Sequence, residues 1–402
     1  MSFARYREVL SLPGLRPLLL VAILARLPVS AIGVTLTMHV ALTLDRGYGA
    51  AGAVAAASTV GAALGNPLVG RLTDRYGARP MLALTTAAQV VVWLVGPWLP
   101  YEALLVLAFL GGLLTLPVFG VVRQSLAAMV PEEQRRTAYS LDSMSVELSF
   151  AVGPAVGVLA STEVSSRLTM VGIAAAMLVS GLLLYLLDPP IRNAAELAAG
   201  AEPLPRRTWI TPRLVVVLCV SAGATVVLSG TDVAIVALLQ PRGEVGWAGV
   251  VIALWCLWSL LGGFVHGAVP RPLPLAVLLG VLCVATIPVG LADHWGVLAL
   301  ALLPAGLACA PTLAAGSDQI SRLAPASARG EAMGLHGSAL TIGSAIGAPL
   351  VGFVVDRTPH PAWGFVAAGA GGLLIGAVGL LLRLVWRGRT ETVSTEDTRV
   401  NA

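Results

Sequence analysis

Long apolar runs follow one another along the chain, separated by short polar breaks, each near the length a helix needs to cross hydrocarbon. They predict twelve helical spans, at roughly 17–44, 49–70, 81–99, 103–128, 138–162, 168–187, 214–240, 247–269, 274–292, 296–322, 331–355 and 362–385. The runs are continuous and do not alternate polar with apolar positions, which excludes a membrane β-barrel. The expected fold class is therefore an all-α membrane protein with two six-helix bundles.

The longest polar stretch, DPPIRNAAELAAGAEPLPRRTWITPR, divides the chain into halves of similar length. The expected domains are an N-terminal bundle over 1–187, a cytoplasmic linker over 188–213, a C-terminal bundle over 214–385 and a cytoplasmic tail over 386–402. Sliding the sequence by 194 positions pairs Pro131 with Pro325, Arg135 with Arg329, Ala138 with Ala332, Leu141 with Leu335 and Gly153 with Gly347. With the central linker, this points to a tandem repeat whose working site lies between the halves.

Composition agrees on the solvent. Hydrophobic residues make up 57% of the 402 and charged residues 11%, against about 25% charged in a soluble chain; mean hydropathy is +0.86. The net charge is +4 and every basic side chain is Arg. These Arg residues lie in short loops and form no soluble patch, so nucleic acid is not an expected partner. Cys219, Cys256, Cys283 and Cys309 all fall in apolar runs and read as small core residues without disulfides. The N-terminal MSFARYREVLSLPGLR leads into a run too long for a signal-peptide core, and reads as a retained first span.

Arg placement sets the expected orientation. Arg5, Arg7, Arg16, Arg135, Arg136, Arg192, Arg206, Arg271, Arg387 and Arg389 fall on one side with other Arg residues, whereas Arg46, Arg167, Arg242 and Arg357 fall on the other. The positive-inside bias places both termini in the cytoplasm, in a bacterial cytoplasmic membrane.

The loop expected after the second span reads GRLTDRYGARP, Gly70 to Pro80. Here the chain resembles the major facilitator superfamily, whose loop G-x-x-x-D-R-x-G-[RK]-[RK] it matches at Gly70, Asp74, Arg75, Gly77 and Arg79 and departs from at Ala78. The resemblance implies a latch that closes the cytoplasmic side against the eleventh span. Gly70 would let the helix end approach a neighbour, Gly77 would permit a positive-φ turn, and Asp74 would face the positive end of another helix. SFAVGPAVG in the fifth span is similar to the family's G-x-x-x-G-P-x-x-G-G helix motif, associated with drug/proton antiporters. Gly153, Pro154 and Gly157 match, while Ser149 and Val158 replace two Gly residues. Small-residue stripes at Ser149, Gly153 and Gly157, at Ala339, Gly343 and Gly347, and at Ala57, Gly61 and Gly65 are expected to form either the seam on which the halves rock or generic close packing.

Ionisable residues inside spans cost at least ~2.5–3.5 kcal/mol each on insertion scales, which marks them as functional candidates. Arg26 and Glu147 each lie about nine residues into an outward-running helix, roughly 13 Å deep. They are expected to pair, either as a static ion pair or as a pair with which proton or substrate binding at Glu147 competes. Asp232 is either a second proton or cation site or a mouth residue in contact with water. Arg123, Asp142, Asp318 and Arg322 are expected as solvated gate charges, with an Arg123–Asp142 lock as the alternative. His39, His266, His336 and Gln89 read mainly as hydrogen-bonded interior groups.

No phosphate-binding loop, metalloprotease motif or nucleophile elbow is present in the sequence, so an enzyme is not expected. The resemblance implies a secondary transporter without cofactor or metal, with protons, a small-molecule substrate and the lipid bilayer as partners, acting as a monomer. Proton-coupled efflux of a small amphipathic compound is the leading expectation. A sugar or organic-anion transporter, with Arg26 as the anion contact, and a non-transporting scaffold or sensor are the alternatives.

Overall fold

The computed structural model describes residues 2–198, 204–269 and 272–400, with side chains for 4–47, 49–198, 204–269 and 272–386. Among the described residues every regular element is helical, and the long ones are twelve. They are α1 (Leu15–Thr43), α2 (Gly49–Tyr76), α3 (Ala78–Trp98), α4 (Tyr101–Met129), α5 (Arg135–Ala160), α6 (Ser166–Leu187), α7 (Pro212–Leu239), α8 (Ala248–Ala268), α9 (Leu275–Leu291), α10 (Leu303–Leu323), α11 (Arg329–Arg357) and α12 (Trp363–Val400). A short helix, Ser2–Leu10, precedes α1, and two more, Ala194–Ala198 and Arg206–Trp209, lie in the linker.

Three of these elements need an argument to count as spans. Residues 135–187 are helical almost without pause, and as one rod they would be about 80 Å long, far beyond a bilayer. The chain reverses at Ser165, whose φ of −177° and ψ of 137° are extended, so this stretch crosses twice. Trp295–Ala301 and α10 form one span bent by 43°. Leu275–Leu291 lies at the short end of what can cross.

Helix α4 is broken between Leu113 and Val118, where Pro117 can donate no N–H. The break frees the carbonyls of Gly111 and Leu114, and Gln89 Nε2 of α3 donates to both, at 2.7 and 3.1 Å. Gln89 is thus a structural partner of the break, consistent with the need to satisfy every backbone group inside a membrane.

The packing repeats with a step of six helices. Helix α1 packs on α5 and α6 as α7 packs on α11 and α12; α2 packs on α4 as α8 packs on α10; α3 packs on α6 as α9 packs on α12. The halves meet chiefly through α2 with α11 and α5 with α8, which the same step exchanges.

Several boundaries differ from expectation. Helix α2 runs six residues past the expected end, so Arg71, Asp74 and Arg75 are helical and only Gly77, at φ 91°, forms the turn. The final helix continues to Val400, through the stretch expected as a tail. Arg271 lies outside the described residues, as do the side chains of Arg387 and Arg389 and residues 199–203 of the linker.

Candidate functional site: a central cavity sealed at one end

A cavity of about 890 Å³ lies between the halves. It runs from Thr73, Arg123 and Gly330 near the linker end to Leu36, Ala55 and Ile252 toward the other. Its wall is largely apolar, with Phe119, Phe150, Trp255 and Leu340, and carries a few polar groups such as Asn66, Gln124 and Ser229. Among the described residues its charged groups are Arg123, Glu147 and Asp232.

Arg26 does not pair with Glu147. Its guanidinium, fully buried, donates to Asp142 Oδ1 at 2.5 Å and to Ser145 Oγ at 2.6 Å. Ser145 is level with Arg26, but Glu147 lies two residues on, about 200° around the helix at 3.6 residues per turn, and faces the other half. Asp142 and Arg123 are not solvated gate charges either, being 0% and 4% exposed. Arg123 Nε donates to Asp142 Oδ2 at 3.2 Å, so one carboxylate holds two guanidinium groups, and both stand over the Phe119 ring at 5.0 and 5.8 Å. The cluster reaches into the other half: Arg123 Nη1 lies 3.5 Å from His336 Nδ1, and His336 Nε2 lies 3.0 Å from Ser221 Oγ. Arg123 is thereby committed, although it touches the cavity.

The two remaining carboxylates of the cavity have no cationic partner among the described residues. Glu147 Oε1 accepts from Ser259 Oγ at 3.0 Å and from Cys309 Sγ at 3.3 Å. Asp232 of α7 is exposed on the cavity wall and makes no hydrogen bond or ion pair among the described residues. Glu147 and Asp232 line the same cavity. Such a pair in an apolar wall can hold protons or a cationic group.

The linker end is sealed by contacts that join the halves. Asp74 Oδ1 and Oδ2 accept the N–H groups of Gly330 and Glu331 at 2.8 Å each, which places a carboxylate on the first turn of α11, where orphan N–H groups and the helix dipole favour an anion. Gly70 lies within α2, not at its end, and its backbone meets that of Gly330 so closely that a Cβ would strike the Gly330 carbonyl. Across α5 and α8, Thr137 Oγ1 donates to the Gly267 carbonyl at 2.8 Å, and Arg136 donates to that of Val269. Tyr6 of the N-terminal helix stacks on Phe264 at 4.9 Å and donates to its carbonyl at 2.7 Å. Burial pushes the Tyr6 phenol up to about 12, so it remains a donor.

The linker also reaches this seal. Arg192 donates to the Asp74 carbonyl at 2.8 Å. Glu196 accepts from both terminal nitrogens of Arg329, at 2.6 and 3.2 Å, while Arg206 pairs with Glu331. Burial acts to raise the Glu196 carboxyl, but the Arg329 guanidinium and the Asn193 N–H outweigh it and hold it below the ordinary value. Arg75 lies outside this contact set: it is exposed and stands over Tyr76 of its own helix. Arg79 pairs with Asp188 at 3.2 Å. Asp318 and Arg322 pair at 3.0 Å along one helix face, and Arg322 also meets Glu132 of the other half.

The small-residue stripes do not form the seam. Gly153 and Gly157 pack on α1, Gly61 and Gly65 on α4, and Gly343 and Gly347 on α7, each within its own half. Gly153 faces Ser30 and the Leu27 carbonyl; Gly347 faces Ser229 and the Val226 carbonyl. The repeat seen in sequence therefore recurs as the same helix contact. Different residues close the seam: Gly70 on Gly330, Gly334 on Asn66, and Gly263 on Met144.

Ser259, Cys309, Arg192, Glu196, Arg329 and Glu331 escaped the sequence reading of the site. Arg329 alone carried a signal, as the repeat mate of Arg135 at a helix start. Cys309, expected in the core, is buried, but against a carboxylate. His39 lies 3.1 Å from Ser166 Oγ, and no His, Cys, Asp and Glu cluster suited to a metal occurs among the described residues.

Two pseudo-symmetric six-helix bundles around a central cavity are the architecture of a secondary transporter. The model of the Major Facilitator Superfamily matches residues 18–270 and 237–400, and the chain belongs to that family. No curated protein matches the sequence. Among solved structures, a bacterial homologue of the iron transporter ferroportin in an outward-facing state is similar, with a TM-score of 0.72, 16% identity and coverage of 92% of this chain and 99% of that one. The human organic anion transporter MFSD10 (TETRAN) gives 0.67 at 17% identity, covering 92% and 99%. The proton:xylose symporter XylE, bound to 6-bromo-6-deoxy-D-glucose, gives 0.67 at 14%, covering 92% and 96%. At these identities the likeness is one of fold.

Proposed function

We propose that the protein exports a small amphipathic compound carrying positive charge in exchange for protons, by alternating access of the central cavity. The observation that carries this reading is the cavity's charge: among the described residues Glu147 and Asp232 have no cationic partner, and Arg123, a cation on the wall, is held by Asp142. A carboxylate in apolar surroundings binds a proton or an organic cation, and the two compete for it. The mostly apolar wall suits an amphipathic body with a charged end. Export in exchange for protons follows if protons enter from the open end and displace the compound there.

With both termini in the cytoplasm, as the Arg distribution favours, the sealed end faces inward and the cavity opens outward. In this reading the chain acts as a monomer in the cytoplasmic membrane of a bacterium, and Asp74 with α11 forms the latch of the outward-open state. An organic-anion reading is weaker because both Arg26 and Arg123 are engaged by Asp142.

The test is dissipation of a respiration-generated pH gradient in everted vesicles on adding lipophilic cations, sugars or organic anions, with Glu147→Gln alongside. Proton release driven by cations and lost in the variant supports the proposal. Release driven only by sugars or anions moves the assignment to those substrates. No response to any solute, with folded protein present, would falsify proton exchange for that panel and favour a non-transporting role.

A further inference from the structure

Glu147 belongs to α5 of the N-terminal half, yet both side chains that hydrogen-bond to it belong to the other half, Ser259 on α8 and Cys309 on α10. The direction of the Ser259 hydroxyl is set by its surroundings. Its oxygen accepts the N–H of Ala310 at 3.1 Å, which leaves its hydrogen for Glu147 Oε1, 3.0 Å away. The Cys309 thiol brings a second donor to the same oxygen. Two donors on one carboxylate oxygen suit the anion, whereas Oε2 accepts no hydrogen bond among the described residues.

Among the described residues no counter-ion performs this task. The side chains that meet Glu147 from the other half are Ser259 of α8 and Cys309 of α10, and Asp232 of α7 and Cys256 of α8 line the same cavity; none of these is basic. Arg26 of α1 and Arg123 of α4 are both held by Asp142. Hydrogen bonds alone therefore tie this carboxylate to the opposite half.

We propose that Ser259, oriented by Ala310 and seconded by Cys309, is the positioning residue that makes Glu147 a charge-dependent fastener between the halves. The anion ties α5 to α8 and α10. A proton on Oε2 makes Oε1 a poorer acceptor and slackens the tie, which couples proton uptake to opening of the seam. The inference rests on the reading of Glu147 as a proton site and adds the means by which its charge reaches the rest of the molecule.

Hydrogen–deuterium exchange of the full chain in nanodiscs tests it, following segments 142–148 and 262–267 in the wild type, Glu147→Gln, Ser259→Ala, Ser259→Cys and the Glu147→Gln/Ser259→Ala double variant. Proton release to lipophilic cations is measured on the same set. Each of the first two variants is expected to raise seam exchange about two- to tenfold, the range set by losing one hydrogen bond of ordinary strength. The double variant should exceed neither single, because both remove the same tie. Ser259→Cys, close in size and still a donor, should stay near wild type, an outcome a purely steric role would not produce. Wild-type seam exchange in Ser259→Ala, or effects that multiply in the double variant, overturns the inference even when Glu147→Gln abolishes proton release. Proton release that survives in Glu147→Gln overturns the functional reading of that residue, and with it the coupling inferred here.

Discussion

The carboxylate of Asp74, at the end of α2, accepts the backbone N–H of Gly330, in the first turn of α11, at 2.8 Å. A side chain of one half thus caps a helix of the other, with the N–H of Glu331 as the second donor. Capping ties a local property of α11 to the global state of the molecule, because the cap exists only while the halves are closed at this end. Replacing a capping carboxylate by Ala costs about 0.5–2 kcal/mol. Asp74→Ala is therefore expected to lower the ratio of sealed to open molecules about two- to thirtyfold, read from distances between spin labels on α2 and α11. An unchanged distance distribution would show that the cap does not bear on the seal.

The ion pair of Glu196 with Arg329 reinforces the same junction from the linker. Its pH dependence has a definite sign. The Glu196 carboxyl is held low when paired, so its contribution is fully present above the ordinary Glu value of about 4.3 and is lost as pH falls through the depressed value. Glu196→Gln should weaken the seal equally at pH 6 and pH 8, and the difference from wild type should shrink below about pH 4. A difference that varies between pH 6 and 8 would assign the effect to another group.

Asp142 is the shared counter-ion of two buried guanidinium groups. Asp142→Asn leaves both without a counter-ion, and removing one partner of a buried pair costs about 3–5 kcal/mol. A marked fall in the melting temperature of the detergent-solubilised protein is expected. Arg26→Met combined with Asp142→Leu should recover part of the loss relative to Asp142→Asn, since the uncompensated charge at that position is gone. Equal stability of Asp142→Asn and wild type would contradict the cluster.

Glycine surroundings inside each half predict opposite signs for two substitutions. At Gly347 a Cβ would strike Ser229 and the Val226 carbonyl, whereas at Gly172 nothing lies within 4 Å. Gly347→Val should destabilise by about 1–3 kcal/mol or more, the usual cost of overpacking. Gly172→Ala should be neutral or stabilising by up to about 1 kcal/mol, since Ala favours the helix. Thermal unfolding of the two variants beside wild type checks both signs.

The sequence by itself determined the solvent, the all-helical class with its twelve long elements, the repeat and the family motif between α2 and α3. These depend on local composition and on spacing along the chain, and a helix needs nothing more to be placed in hydrocarbon. Spacing along a helix gives each charge a position on the helix axis and no more. Only the tertiary structure decided which charges meet. Arg26 and Glu147 are at similar depth, yet Arg26 faces Asp142 on the α1 side of α5 while Glu147 faces Ser259 and Cys309 on the other. Azimuth selects the partner, and azimuth depends on how α5 is rotated against four neighbours at once. The same holds for the glycine stripes, whose spacing announces close packing without naming the helix that approaches. It holds most for the linker, where Glu196 and Arg329 are far apart in sequence and are joined only by the folding of the two halves against each other.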